Sequence, residues 1–215
     1  LSESTVNTTP ATRRALHSHG PEGRITRLVI MGPQGAGKGT QAARLADTFE
    51  IVAISTGDIF RANIKGETEL GKLAQEYTNK GELVPDSVTN DMVRDRLSQD
   101  DVKSGFILDG YPRNAAQVTE LDAILRDLGW ELDGVIELTA DRGELLARLA
   151  KRAELEGRED DTEDAIARRL DIYGEQTAPL TAAYGERNLL VQVDGIGEVE
   201  EVTERIVKSL AAQLG

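Results

Sequence analysis

Five short apolar runs punctuate this chain: Leu28 to Met31, Ile51 to Ser55, Phe106 to Asp109, Val135 to Leu138 and Leu189 to Val193. Each is too brief for a helix and is bounded by polar or turn-forming residues, which predicts buried strands. Between them apolar residues return at helical spacing. Ala42, Leu45, Ala46 and Phe49 repeat at i, i+3, i+4 and i+7; Val118, Leu121, Ile124, Leu125 and Leu128 follow the third run, and Leu145, Leu146 and Leu149 the fourth. Val199, Val202, Ile206 and Leu210 close the series with a helix laid against the sheet. Strand, helix and strand in direct succession make a β-α-β unit, with parallel strands and a right-handed crossover.

Two stretches depart from this pattern. From Ile64 to Val84 the chain is polar, anchored only at Leu70, Leu73, Ala74 and Tyr77, which predicts a small helical insertion. Pro85 and Asp86 then start a helix whose Val88, Met92, Val93 and Leu97 face the core. Residues 1–24 lack periodicity and include Pro10, Gly20, Pro21 and Gly23, so a disordered tail outside the fold is expected. His17 and His19 within it read as solvated linker residues.

The junction after the first run carries chemistry. Gly32 to Lys38 satisfies G-x-x-x-x-G-K between a predicted strand and a predicted helix, the context that a phosphate-binding loop requires. Gly32, Gly35, Gly37 and Gly39 let backbone N–H groups approach a polyphosphate, the helix directs its positive end there, and Lys38 adds a mobile ammonium. Gly39 follows the lysine, so the hydroxyl that usually ligates magnesium comes one place later, at Thr40.

Composition narrows the partners. With 25 basic and 38 acidic residues the formal charge is −13, which repels nucleic acid and anionic lipid but leaves room for a local basic cleft. There is no cysteine, hence no disulfide and no thiolate metal site, in keeping with a reducing compartment and a cytoplasmic location. No apolar run approaches the roughly 20 residues of a membrane span, and a soluble chain is expected. Without an obvious apolar surface stripe, a monomer is the expectation.

Polar residues gather where open α/β sheets place their ligands, at the predicted carboxyl ends of strands. Thr56, Gly57 and Asp58 follow the second run; Arg61, one helical turn on, either forks onto a phosphate or is a surface arginine. Asp109 ends the third run and either caps a turn or holds water around a nucleotide-bound magnesium ion. The turn Gly110-Tyr111-Pro112-Arg113 aims its arginine back at the sheet edge. Gln117 carries an amide able to read the paired donor and acceptor of an adenine edge, or is a surface glutamine. Farther on, Gly157 interrupts a helix, and Asp160 is placed to cap the next in capping-box register with Glu163; Ile166, Leu170 and Tyr173 anchor it. Arg169 lies 11 residues, about three helical turns, after Arg158, so both can point to one side. With Arg152 they form either a hinged flap bearing guanidiniums or an exposed, salt-bridged helix pair. Asp194 to Gly197 reads as a turn rather than a switch motif, and Asn79 to Glu82 is only a near-match to a guanine reader.

GPQGAGKGTQ, STGDIFR, LDGYPRNAAQ and EGREDDTEDAIARRL occur in that order, and from roughly Ile25 to the C-terminus the chain resembles the adenylate kinases with a short lid. The resemblance implies an α/β fold with a P-loop NTPase core, a five-stranded parallel sheet in a single domain of residues 25–215. It further implies an AMP-binding insertion at 55–84, a short lid at 152–161, and reversible magnesium-dependent transfer of a phosphoryl group from ATP to AMP, giving two ADP, without zinc. On the same ground Gly35, Ala36, Gly37, Lys38, Gly39 and Thr40 would hold the ATP phosphates, with Lys38 neutralising charge as the bond breaks, and Gly197 would touch the ATP base. Thr56 and Gln117 are similar to the pair that reads the AMP base. Arg61, Arg113 and the turn Gly110, Tyr111 and Pro112 would hold AMP, and the backbone of Glu82, Leu83 and Val84 would close over it. Arg152, Arg158 and Arg169 resemble lid arginines that converge on the transferring phosphoryl, Arg152 on the ATP side and the other two also on the AMP side. A UMP or CMP kinase of the same fold is the nearest rival, a non-catalytic nucleotide-binding module the more distant one. Gln34 stands where many relatives have proline, with little consequence expected.

Overall fold

The strands are β1 (Thr26–Met31), β2 (Val52–Ser55), β3 (Gly105–Asp109), β4 (Gly134–Thr139) and β5 (Leu190–Asp194), in a computed structural model that describes residues 25–157 and 162–214. They form one sheet of order β2-β3-β1-β4-β5 in which every neighbouring pair is parallel. Successive residues of a strand face opposite sides. Leu28 and Ile30 therefore join Ile107, Ile136, Leu138, Val191 and Val193 on one face, while Val29 and Met31 join Ile54, Phe106, Leu108 and Val135 on the other.

Helices cover both faces, which is why the strands read as continuous apolar runs. In chain order these are α1 (Lys38–Phe49), α2 (Thr56–Lys65), α3 (Glu69–Asn79), α4 (Asp86–Leu97), α5 (Ala115–Leu128), α6 (Arg142–Glu156), α7 (Glu163–Ile172), α8 (Pro179–Glu186) and α9 (Val199–Leu214). Leu45, Leu149, Ile166 and Ile206 bring α1, α6, α7 and α9 onto the first face; Ile59, Ala74, Met92, Leu121 and Tyr184 bring α2 to α5 and α8 onto the second. None of the described helices is long and apolar enough to cross a membrane.

Strands β1 and β2 are parallel, yet they do not touch, because β3 pairs between them, with Ile107 opposite both Leu28 and Ala53. Burial accounts for the order: Phe106, Ile107 and Leu108 are at most 1% exposed and need the interior of the sheet, whereas β2 carries an exposed Ala53 and suits an edge. Neighboured by β3 and β4, β1 delivers its loop to the point where strand order reverses.

Several local expectations need correction. Thr162, not Asp160, caps α7: its hydroxyl accepts from the Ala165 N–H at 3.2 Å, which makes Glu163 the first helical residue rather than the third. α6 ends at Glu156, with Gly157 as its left-handed cap, and α7 starts at Glu163. Arg158, Asp160 and the tail with its two histidines lie outside the described residues. Leu73 and Val199, expected to face the core, are 38% and 40% exposed, since Ala74 and Val202 occupy the inward positions beside them.

Candidate active site

The cradle begins where β1 stops. Gly35 and Gly37 hold φ of 87° and 91°, a left-handed backbone that costs glycine nothing. A side chain at Gly35 would also meet Leu149 of α6 at 3.1 Å. Gly37 caps α1 without a side-chain hydrogen bond, and the first turn of α1 holds no acid, so its N–H groups and dipole are available to an anion. The cradle is braced from behind: buried Gln41 donates to the Val199 carbonyl at 3.1 Å and accepts from the Thr203 hydroxyl at 2.7 Å, tying α1 to α9. From the side, the turn after β5 abuts it, for a side chain at Gly195 would lie 3.1 Å from the Ala36 carbonyl. Asp194 Oδ1 accepts from the Ile196 N–H at 2.9 Å, which is turn chemistry, and exposed Gly197 follows.

Lys38 faces Asp109 at the end of β3. Burial pushes the Lys38 ammonium down from its ordinary pKa, with the Asp109 charge opposing, and burial pushes the Asp109 carboxyl up, with Lys38 and Arg113 opposing. A side chain at Gly39 would come within 3.9 Å of Asp109 Oδ2, which puts the carboxylate beside the start of α1.

The turn after β3 supplies the next group. Arg113 Nε donates to the Gly110 carbonyl at 2.8 Å, folding the guanidinium back over the turn, and the Tyr111–Pro112 peptide bond is cis. Gly110 has φ of 89°, and a side chain there would strike Thr56 Oγ1, so the start of α2 sits directly against this turn. Tyr111 is buried and donates to Asn90 Oδ1 at 2.8 Å; burial raises its phenol well above the ordinary value. Gln117 is buried, its Oε1 accepting from the Arg113 N–H at 2.7 Å and its Nε2 donating to Asp86 at 3.0 Å. A π-helical turn, Tyr173–Thr177, leaves α7 and meets Arg113, whose carbonyl accepts from the Thr177 hydroxyl at 2.9 Å.

Between these pieces lies a cleft of about 570 Å³ whose lining includes Lys38, Gly110, Tyr111, Pro112, Arg113 and Arg169. Three cationic side chains thus meet at one opening beside a backbone anion cradle, an arrangement suited to a polyphosphate. A sequence profile described as adenylate kinase matches residues 30–189. The adenylate kinase of Kocuria rhizophila is 61% identical over 186 residues, covering 86% of this chain and 99% of that protein. Those of Bifidobacterium longum and Thermobifida fusca are 60% and 54% identical, each match covering 99% of the relative and 86% and 87% of this chain. The chain belongs to the adenylate kinase family. Membership makes it a phosphotransferase built on the P-loop nucleotide-binding fold.

Within this adenylate kinase framework other candidate residues stand apart from the cleft lining. Arg61 is exposed and ion-paired with Asp58, holding that carboxyl below its ordinary range. Glu82 and Leu83 are exposed, Leu83 to 94%, and Val84 is half-buried. Arg152 is half-buried, with an Nε that is shielded from solvent and has no hydrogen-bond partner. Thr40 is exposed at the start of α1.

Sequence reasoning missed three residues beside the cradle and cleft. Arg148 donates to the Gly35 carbonyl at 3.4 Å and to Glu144 at 3.1 Å; helical spacing shows the pairing with Glu144 but not the reach to the cradle. Gln34, of which little was expected, lines the cleft with its Oε1 buried and without a partner. Tyr173 lines the same cleft with its hydroxyl equally buried and unpartnered, its phenol pushed up by burial. Neither orphan leaves a sequence signal, because each arises from packing between distant elements.

Proposed function

We propose that this chain catalyses the reversible transfer of a phosphoryl group from Mg·ATP to AMP, giving two ADP. The observation that carries the reading is the convergence of Lys38, Arg113 and Arg169 on one cleft beside the Gly35 to Thr40 cradle. Phosphoryl transfer asks a protein for alignment and positive charge rather than covalent help, and this inventory supplies both. The cradle and Lys38 take the ATP phosphates, Arg152 reaches them from α6, and Gly197 lies against the base. On the acceptor side Arg61, Arg113 and the turn Gly110, Tyr111 and Pro112 hold the AMP phosphate, and Thr56 and Gln117 read its base. Arg158 and Arg169 bridge the two substrates.

Residues 55–84, with Glu82, Leu83 and Val84 at their end, act as a flap over AMP, and residues 152–161 as a lid over ATP. Closure of both expels water that would otherwise accept the phosphoryl group.

Asp109 fits a nucleotide-bound magnesium ion. It is a single carboxylate beside the cradle, and no cluster of three or more potential ligands exists among the described residues. Magnesium keeps its waters and asks for one or two carboxylates plus phosphates, so Asp109 would hold it through water. When bound, the ion neutralises phosphate oxygens. On this reading the partners are ATP, AMP and ADP in a cytoplasmic setting, with no call for nucleic acid, membrane or a second copy of the chain. The relatives' names favour AMP as acceptor over UMP or CMP.

Phosphorus NMR tests the stoichiometry. With Mg·ATP and AMP, two ADP are expected to form for each ATP consumed, and ADP alone should regenerate ATP and AMP. Release of inorganic phosphate with AMP unconsumed would contradict the proposal.

A further inference from the structure

Gln117 is held by more than its place on α5. The Arg113 N–H donates to its Oε1 at 2.7 Å, and its Nε2 donates to Asp86 Oδ1 at 3.0 Å. The other oxygen of Asp86 accepts from Asn114 Nδ2 at 3.1 Å. Asn114 in turn caps α5, its Oδ1 accepting from the Gln117 N–H at 2.9 Å. A backbone N–H can only donate and a carboxylate can only accept, so the two ends of the Gln117 amide are not interchangeable. Turned by half a revolution, the amide would set N–H against N–H at Arg113 and oxygen against oxygen at Asp86. Gln117 is 5% exposed, and after these bonds each end keeps one position: a lone pair on Oε1 and one hydrogen on Nε2.

We propose that Asp86 is a specificity-positioning residue which, by fixing the order of donor and acceptor on Gln117, admits the 6-amino purine edge of AMP and refuses the 6-oxo edge of IMP and GMP. The inference rests on the reading of Gln117 as the residue that meets the monophosphate's base. Adenine presents an amino donor beside the N1 acceptor; hypoxanthine and guanine present an oxo acceptor beside an N1–H donor. The same two functions appear in reversed order. An amide free to turn would satisfy either base. A fixed amide satisfies adenine and leaves two like groups opposed with a 6-oxo purine, the kind of buried mispairing by which sites reject close analogues. Asp86 lies on α4, 31 positions from Gln117 in the chain, and acts through it.

The test compares wild type, Asp86→Asn and Asp86→Ala for kcat and KM with AMP and with IMP at saturating Mg·ATP, alongside KM for ATP and the thermal midpoint. Asparagine at this position forces either Asn114 or Gln117 to turn around; alanine removes the acceptor altogether. The expected result in each variant is a fall of about tenfold in the ratio of kcat/KM for AMP over IMP. The change should reside in KM for the monophosphate and leave KM for ATP where it was. Should one variant fail to fold, the other carries the comparison. A ratio within about twofold of wild type overturns the proposal and leaves the role of Gln117 intact. A lowered thermal midpoint with an unchanged ratio does the same, reducing Asp86 to a support of the α4 start. A wild type that does not prefer AMP to IMP overturns the reading of Gln117 itself.

Discussion

At the carboxyl edge of β3, Asp109 shares a poorly solvated site with Lys38 and is pushed up from its ordinary value of 3.8 by burial, while the Lys38 and Arg113 charges pull it part of the way back. A carboxyl with a raised folded-state pKa contributes stability that is complete below its unfolded value and is lost as pH rises through the folded one. Ionising this group therefore opposes folding. Carbon-13 titration of the Asp109 carboxyl in the nucleotide-free protein should give a midpoint above 3.8, and a higher one still in Lys38→Met, where the attracting charge is gone. A midpoint at or below 3.8, or one that falls in the variant, contradicts the assignment. At this scale the sequence pointed to Lys38, Asp109 and Arg113 as candidates, because a charge at a strand end or in a glycine-rich turn is visible in the residue order. It did not show Asp86, Arg148, Gln34 or Tyr173, whose significance lies in which distant group each meets or fails to meet.

Strands and most helices were legible because a parallel sheet buried on both faces writes its runs without interruption, and the helices that cover it repeat at a helical period. Strand order was not, since the neighbour of β1 is decided by how deeply β2 and β3 are buried, not by their sequence order. The start of α7 was misplaced for a related reason: Asp160 and Thr162 are both capping residue types, and it is the fold that gives the Ala165 N–H to the Thr162 hydroxyl. In the α2–α3 pair, one glycine sets the approach. A side chain at Gly71 would lie 2.2 Å from the Asn63 carbonyl oxygen and 2.9 Å from the Ile64 nitrogen, both backbone atoms unable to step aside. Gly71→Ala should therefore lower stability by about 1–3 kcal/mol in urea denaturation. Gly174→Ala, where a side chain meets nothing within 4 Å, should change it by less than about 1 kcal/mol. Equal effects at the two positions would show that the close packing of α2 on α3 is not what Gly71 serves.

Across the whole molecule, a chain of net charge −13 gathers Lys38, Arg113 and Arg169 at a single opening, a local concentration of positive charge suited to small polyanions. The strand order puts that opening at the reversal point of the sheet, the cradle entering from β1 and the arginine turn from β3. From this geometry the cleft should serve two nucleotides, with Arg113 holding the phosphate of the acceptor. The most direct measurement is ADP production from Mg·ATP with AMP, CMP, UMP or GMP as acceptor, on wild type and on Arg113→Ala. Rapid turnover with AMP alone, reduced about a thousandfold or more by the substitution, is the predicted result. Preference for UMP or CMP, or an Arg113→Ala protein as active as wild type, would contradict it.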